Sequence, residues 1–262
     1  MARVLSALVL LPLVVGTVWF LPPAATLGLA TIAAVLAFLE YAAIVEALEV
    51  RVPRLIIGAA VGVACVAVGG AYLAAEVILM SAVIVIGAVA VASGAPGPGV
   101  LRDAAASILP VAYIGLPLGA LAAVHAFGGR EAVLLLMLTI VVSDSAQYYC
   151  GRAFGRRPLA PAISPKKTVE GAIGGLLFGT AAMTLGGRLV FAEAPLLLLV
   201  LVGACISTLG MVGDLFESML KRSAGVKDSS HIIPGHGGIL DRIDSWLFAA
   251  PLYYVFVRYL RL

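Results

Sequence analysis

Charge is scarce in this chain: 12% of its 262 residues are Asp, Glu, Lys or Arg, against 62% that are hydrophobic. A soluble domain wraps its core in a largely polar shell, and a mean hydropathy of +1.12 leaves too few polar residues to make one. The net charge of +3 is modest, with no soluble basic domain to carry it, so nucleic acid is not an expected partner. Cysteine is equally sparse. Cys65, Cys150 and Cys205 are odd in number, lie in or beside apolar runs and show no CxxC spacing, so they read as packing residues. Internal repeats are missing, as is any linker long enough to separate folding units. One membrane domain over residues 1–262 is expected, with 1–131 mainly scaffold and 132–262 the functional half.

Apolar runs are what the chain has in abundance. A helix needs roughly 20 apolar residues to cross a bilayer, and about nine runs qualify. They lie near residues 4–20, 24–45, 55–74, 77–95, 104–126, 132–150, 169–191, 196–219 and 243–260. Long stretches of Leu, Val and Ala suit helices that satisfy their own backbone groups, and the alternation of a membrane barrel is missing. The expected fold class is therefore all-α, a polytopic transmembrane helical bundle. Arg3 ahead of LSALVLLPLVV, with PPAA beyond, also has the outline of a signal peptide. The next apolar run begins almost at once, so a first transmembrane helix is the simpler reading.

Short loops rich in Lys and Arg stay cytoplasmic. With a cytoplasmic amino terminus, the inner side holds Arg3, Arg51, Arg54, Arg102, Arg152, Arg156, Arg157, Lys166, Lys167, Lys221, Arg222, Lys227 and Arg242, and the outer side only Arg130, Arg188, Arg258 and Arg261. This topology places the polar loops 151–168 and 220–242 on one face, toward the cytoplasm.

The segment from Ser218 to Asp244 concentrates the chemistry. Ionisable groups near membrane depth are costly and usually mark function. Asp214, Glu217 and Lys221 share one helical face at spacings of three and four. A Glu217–Lys221 ion pair needs no further explanation, but Asp214 lies a turn deeper in apolar surroundings and needs a partner. In HGGILDRID, Asp241 and Asp244 stand three apart at the entrance to the last run, which suits a helix cap and equally a hard cation. Magnesium is commonly held by one or two carboxylates together with substrate phosphates, and Asp214 and Asp241 are the pair expected to hold it. The glycines of PGHGG, including Gly237 and Gly238, let backbone approach a bulky anion. His236 lacks a second His or Cys at zinc-ligand spacing and reads as a phosphate-contacting or proton-handling group.

The other loop, with its flanks, reads SDSAQYYCGRAFGRRPLAPAISPKKTVEGAIGG from Ser143 to Gly175. Lys166 and Lys167 bring charge, Thr168 brings a hydroxyl, and the start of the next helix adds unpaired amides, which together suit an anion. Thr168 also fits a helix cap and Glu170 a first-turn acid. Asp144, near the end of an apolar run, must pair, bind a cation or reach water. Glu40, within the second run, either lines a cavity or reaches the interface. These features suggest phosphoryl or nucleotidyl transfer at the membrane surface.

Ser218, Lys221-Arg222, Lys227-Asp228, Pro234, His236-Gly237-Gly238, Asp241-Arg242 and Asp244 together resemble the signature of phosphatidate cytidylyltransferases, the CDP-diacylglycerol synthases. The SPKKTVEG run with Asp144 resembles a second stretch shared by that family. Ala146 and Gln147 stand where relatives often have Gly-Ala, and Val169 where some carry an aromatic; neither change removes a charged group. The resemblance implies attack of a phosphatidate phosphate oxygen on the α-phosphorus of CTP. In that setting Asp214 and Asp241 take the magnesium, Asp144 and Asp244 support the site, and Lys167, Lys221, Arg222, Lys227 and Arg242 hold phosphates. It also implies a homodimer and leaves room for a second cation, which nothing in the sequence identifies. The rival readings are another CTP-dependent lipid enzyme, such as a polyprenol kinase, and an ion-coupled transporter using Asp144, Asp214 and Glu217.

Overall fold

The computed structural model describes residues 2–94, 96–230, 232 and 237–260. Helices α1 (Ala2–Phe20), α2 (Pro23–Glu46), α3 (Arg54–Gly69), α4 (Ala75–Ala92) and α5 (Val100–Pro110) lead through a π turn at Val111–Gly115 into α6 (Leu116–Phe154). A hairpin of β1 (Pro158–Ala160) and β2 (Ser164–Thr168) follows, then α7 (Val169–Val190), α8 (Leu196–Ser223) and α9 (Leu240–Val255), with a last π turn at Phe256–Leu260. Among the described residues, 5 helical stretches are long and apolar enough to cross a membrane, and Leu8–Phe20 and Arg54–Gly69 are shorter apolar helices. The protein is an all-α polytopic membrane protein, to which the antiparallel hairpin is a small addition within a loop.

The runs expected at 104–126 and 132–150 fall in a single helical stretch, Val100–Phe154, broken at Gly129, where φ is 79° and ψ is 176°. A residue without Cβ adopts that backbone without strain. The π turn directly follows Pro110, whose ring removes an amide from the helical ladder and forces a wider turn.

The chain divides into two compact units, Met1–Ala123 with Leu220–Arg242, and Val124–Met219 with Ile243–Leu262. In the first unit Phe38, Tyr41, Ile57, Val61, Cys65 and Ile114 are buried together. Close approach of α3 to the π turn and the start of α6 depends on Gly115 and Gly119, one helical turn apart. A Cβ there would lie 2.8 Å from the Val61 carbonyl oxygen and 2.7 Å from that of Cys65, respectively. Small residues at this spacing let membrane helices touch backbone to backbone, where dispersion replaces the missing hydrophobic drive. The Tyr41 hydroxyl donates to the Ala106 carbonyl at 2.9 Å and ties α2 to α5.

In the second unit α7 carries a glycine stripe. A Cβ at Gly171 would lie 2.6 Å from the Gln147 carbonyl oxygen, at Gly174 it would collide with Cys150, and at Gly179 it would strike Ser207 and Ser143. The stripe lets α7 nest against the last turns of α6 and against α8. Gly213 of α8 plays the same part against α9, where a Cβ would strike the backbone carbonyl of Asp244. These contacts bring the acid-bearing turns of α6, α8 and α9 toward one place.

Candidate active site

In the second unit the site is assembled from the hairpin and three helices. Thr168, in extended backbone, caps α7 by accepting from the Gly171 amide at 3.1 Å. Glu170 accepts from the amides of Arg156 and Arg157 at 3.0 and 3.2 Å and from the Arg157 guanidinium at 3.1 Å, which fixes the hairpin on the helix start. Lys167, on the same strand, is thereby held toward α8, and its ammonium lies 2.6 Å from Asp214 Oδ2. Both side chains are partly accessible, at 21% and 35%. The carboxylates of Asp144 and Asp244 interact electrostatically with Asp214 and with Lys167, and Asp244 also with Asp144. Asp144 accepts from the Gln147 amide at 3.1 Å, and Asp214 from the Ser218 hydroxyl at 3.4 Å. Three carboxyl groups crowd one ammonium, and a divalent cation would balance their charge when all three are ionised.

In the first unit a second polar cluster surrounds two carboxylates. Asp241 Oδ1 pairs with Lys221, while Oδ2 accepts from the Ser229 amide at 3.0 Å, the Ser229 hydroxyl at 2.8 Å and the Gly238 amide at 2.8 Å. Burial pushes the Asp241 carboxyl up, but Lys221, the Gly238 amide and the Ser229 hydroxyl outweigh it and hold the group at about 2. Gly237 has a φ of +80°, and a Cβ on it would lie 2.7 Å from Asp241 Oδ2, so both its backbone and its surroundings call for glycine.

Glu40, left open by the sequence, is the acid that reasoning from composition missed. It is 3% exposed and accepts four hydrogen bonds: from Ser229 and Ser230 hydroxyls at 2.9 and 2.6 Å, and from the amides of Ile239 and Leu240 at 2.9 and 2.8 Å. The signal that points to it is an acid inside an apolar run, matched far along the chain by a Ser-Ser pair and an uncapped helix start.

Lys227, Arg222 and Arg242 are exposed, and Arg222 donates to the Val226 carbonyl at 3.0 Å. His236 lies outside the described residues. Among the described residues no group of three His, Cys, Asp or Glu side chains forms a ready-made metal centre. The donors nevertheless fit a hard divalent ion, because Asp144, Asp214 and Asp244 offer only carboxylate oxygens and magnesium needs no more than one or two of them beside phosphate and water.

Fold and site together define a membrane-embedded protein with a polar, carboxylate- and lysine-bearing centre carried by the hairpin, α6, α8 and α9. The profile of the cytidylyltransferase family matches residues 1–260, and the chain belongs to that family. It is 42% identical over 150 residues to a phosphatidate cytidylyltransferase of Staphylococcus haemolyticus (57% of each chain) and 43% over 126 residues to that of Bacillus subtilis (48% of this chain, 47% of the relative). It is also 44% identical over 134 residues to an uncharacterized protein, YnbB, of Escherichia coli strain K12, covering 50% of this chain and 44% of that one. The matched stretch thus spans about half the length of these curated relatives.

Proposed function

We propose that the protein transfers a cytidylyl group from CTP to phosphatidate, giving CDP-diacylglycerol and pyrophosphate, at the cytoplasmic face of a bacterial cell membrane. A phosphatidate oxygen forms a bond to the α-phosphorus of CTP while the bond from that phosphorus to the bridging oxygen breaks, and pyrophosphate leaves with the electron pair. The observation that carries this reading is the Lys167–Asp214 pair with Asp144 and Asp244 around it, in a chain of the cytidylyltransferase family.

A phosphate monoester is already anionic at neutral pH, so attack requires no general base. The obstacle is repulsion between two polyanions, and the catalytic work is charge neutralisation and alignment. Lys167 fixes Asp214 and presents its ammonium to a phosphate. In the second unit Thr168 and the Ser218 hydroxyl, and in the first Arg222, Lys227, Arg242 and the backbone at Gly237 and Gly238, are the groups suited to phosphate oxygens; Lys221, engaged by Asp241, holds its loop, and His236 contacts phosphate or the leaving group. Asp214, with Asp144 and Asp244, would hold the divalent metal, magnesium by the hardness of its donors; when bound, it screens phosphate charge. Asp241, the second ligand expected from the sequence, has both carboxylate oxygens engaged by donors, and we assign it first to holding its loop.

Detergent-purified protein supplied with CTP, magnesium and phosphatidate will release pyrophosphate only when both substrates are present. Asp214→Asn will lower turnover by roughly 100-fold or more while eluting as the wild type does. Asp241→Asn will leave the magnesium concentration for half-maximal rate within about twofold; a large rise there would return Asp241 to the metal. CTP-dependent phosphorylation of a polyprenol, with no product from phosphatidate, would overturn the assignment.

A further inference from the structure

Glu40 and the loop it holds come from opposite ends of the sequence, 189 to 200 residues apart. Its four donors fall into two pairs. Ser229 and Ser230 open the segment 229–240, a few residues beyond the end of α8 at Ser223, and Ile239 and Leu240 close it where α9 begins. One oxygen of Glu40 takes Ser230 and Ile239, and the other takes Ser229 and Leu240, so each oxygen bridges the two ends of the loop. The fit allows no slack, since a side chain at Gly238 would strike both Ser229 Oγ and Glu40 Oε2. Asp241 repeats the same bridge beside it, from Ser229 to Gly238, and shares the Ser229 hydroxyl with Glu40.

A buried carboxylate surrounded by donors is costly to remove, because each donor left without an acceptor loses both its bond and its hydration. The arrangement also has a direction. Lys227 precedes the clamp and Arg242 follows it, both exposed, and Gly237 sits in a left-handed conformation at its edge. We propose that Glu40 is a positioning residue for the nucleotide: its carboxylate sets the two ends of the loop 229–240 so that the cationic and glycine positions flanking them meet the triphosphate. This rests on the reading of the protein as a CTP-using enzyme, but not on phosphatidate as the acceptor.

The test uses the full-length protein in detergent with magnesium and the conservative variant Glu40→Gln. The amide nitrogen of glutamine must face either the Ile239 or the Leu240 amide, neither of which can accept, so one bridge fails in either orientation. CTP affinity by calorimetry will fall roughly tenfold or more, and the KM for CTP will rise in step while kcat changes little. Exchange of the Ile239 and Leu240 amides, followed by mass spectrometry, will accelerate at least about tenfold. Ser230→Ala, which deletes a single donor, will move all three readouts the same way by less. A Glu40→Gln protein that folds with unchanged CTP affinity and unchanged exchange overturns the proposal. So does one with reduced yield and kcat but an unaltered KM, since a role confined to stability predicts that pattern. If wild type binds CTP and the variant does not, yet phosphatidate is never consumed, the acceptor is wrong and the role of Glu40 stands. If wild type fails to bind CTP, both readings fall.

Discussion

At the scale of single residues, the contrast between Lys167–Asp214 and Lys221–Asp241 sets two different expectations. The first pair is partly accessible and adjoins two further carboxylates, so its lysine is poised to exchange partners when a polyanion arrives. Lys167→Gln will raise the KM for CTP and steepen the requirement for magnesium, measured by varying each at saturating levels of the other. The second pair is nearly enclosed, with side-chain exposures of 10% and 7%, and its role is to hold. Because the Asp241 carboxyl sits at about 2, below the value near 3.9 of an unstructured Asp, its contribution to stability is fully present above roughly pH 4 and is lost as pH falls toward 2. The gap in thermal midpoint between wild type and Asp241→Asn will therefore be constant from pH 7 to about 5 and will close below pH 4. Both lysines and both aspartates were legible in the sequence because charge is so rare there. Their division into separate pairs was not, since spacing along a helix cannot say which distant strand or loop will supply a partner.

At the scale of elements, glycine decides which helices meet. Hydropathy placed individual helices closely, as in Val169–Val190 for the run expected at 169–191, while among the described residues 5 stretches, against about nine expected runs, are long and apolar enough to cross a membrane. Which faces touch depends on where Cβ atoms are missing, and a stripe such as Gly171, Gly174, Gly175 and Gly179 says that something packs closely without naming it. The hairpin at 158–168 escaped notice because strands of 3 and 5 residues, one of them SPKKT, carry no apolar alternation. Gly213 and Gly210 offer a sharp comparison on one helix. A Cβ at Gly213 strikes the Asp244 backbone, whereas one at Gly210 meets Ser245 no closer than 3.6 Å, an ordinary contact. Gly213→Ala will lower the thermal midpoint, at an overpacking cost of about 1–3 kcal/mol, and displace Asp244 with loss of activity. Gly210→Ala will do neither; equal effects from the two would show that Asp244 is not placed by this contact.

At the scale of the whole molecule, exposed Val77, Met80, Val83, Ile84 and Val91 on α4 would be a liability in water and are ordinary against lipid. The orientation proposed from basic loops predicts that, in a background without Cys65, Cys150 and Cys205, a cysteine placed at Lys166 reacts with a membrane-impermeant reagent only from the cytoplasmic side, and one at Arg130 only from outside. The reverse pattern would invert the topology. The span between Glu40 and Leu240, 200 residues, also has a meaning in time. At roughly 5–20 residues per second, a ribosome delivers the last of those donors about 10–40 s after α2 has been made. For that interval a carboxylate waits in the nascent chain for amides not yet synthesised, so chains interrupted before Ile239 will be cleared by membrane proteases faster than chains interrupted just after α9, a difference that pulse-chase labelling would read directly.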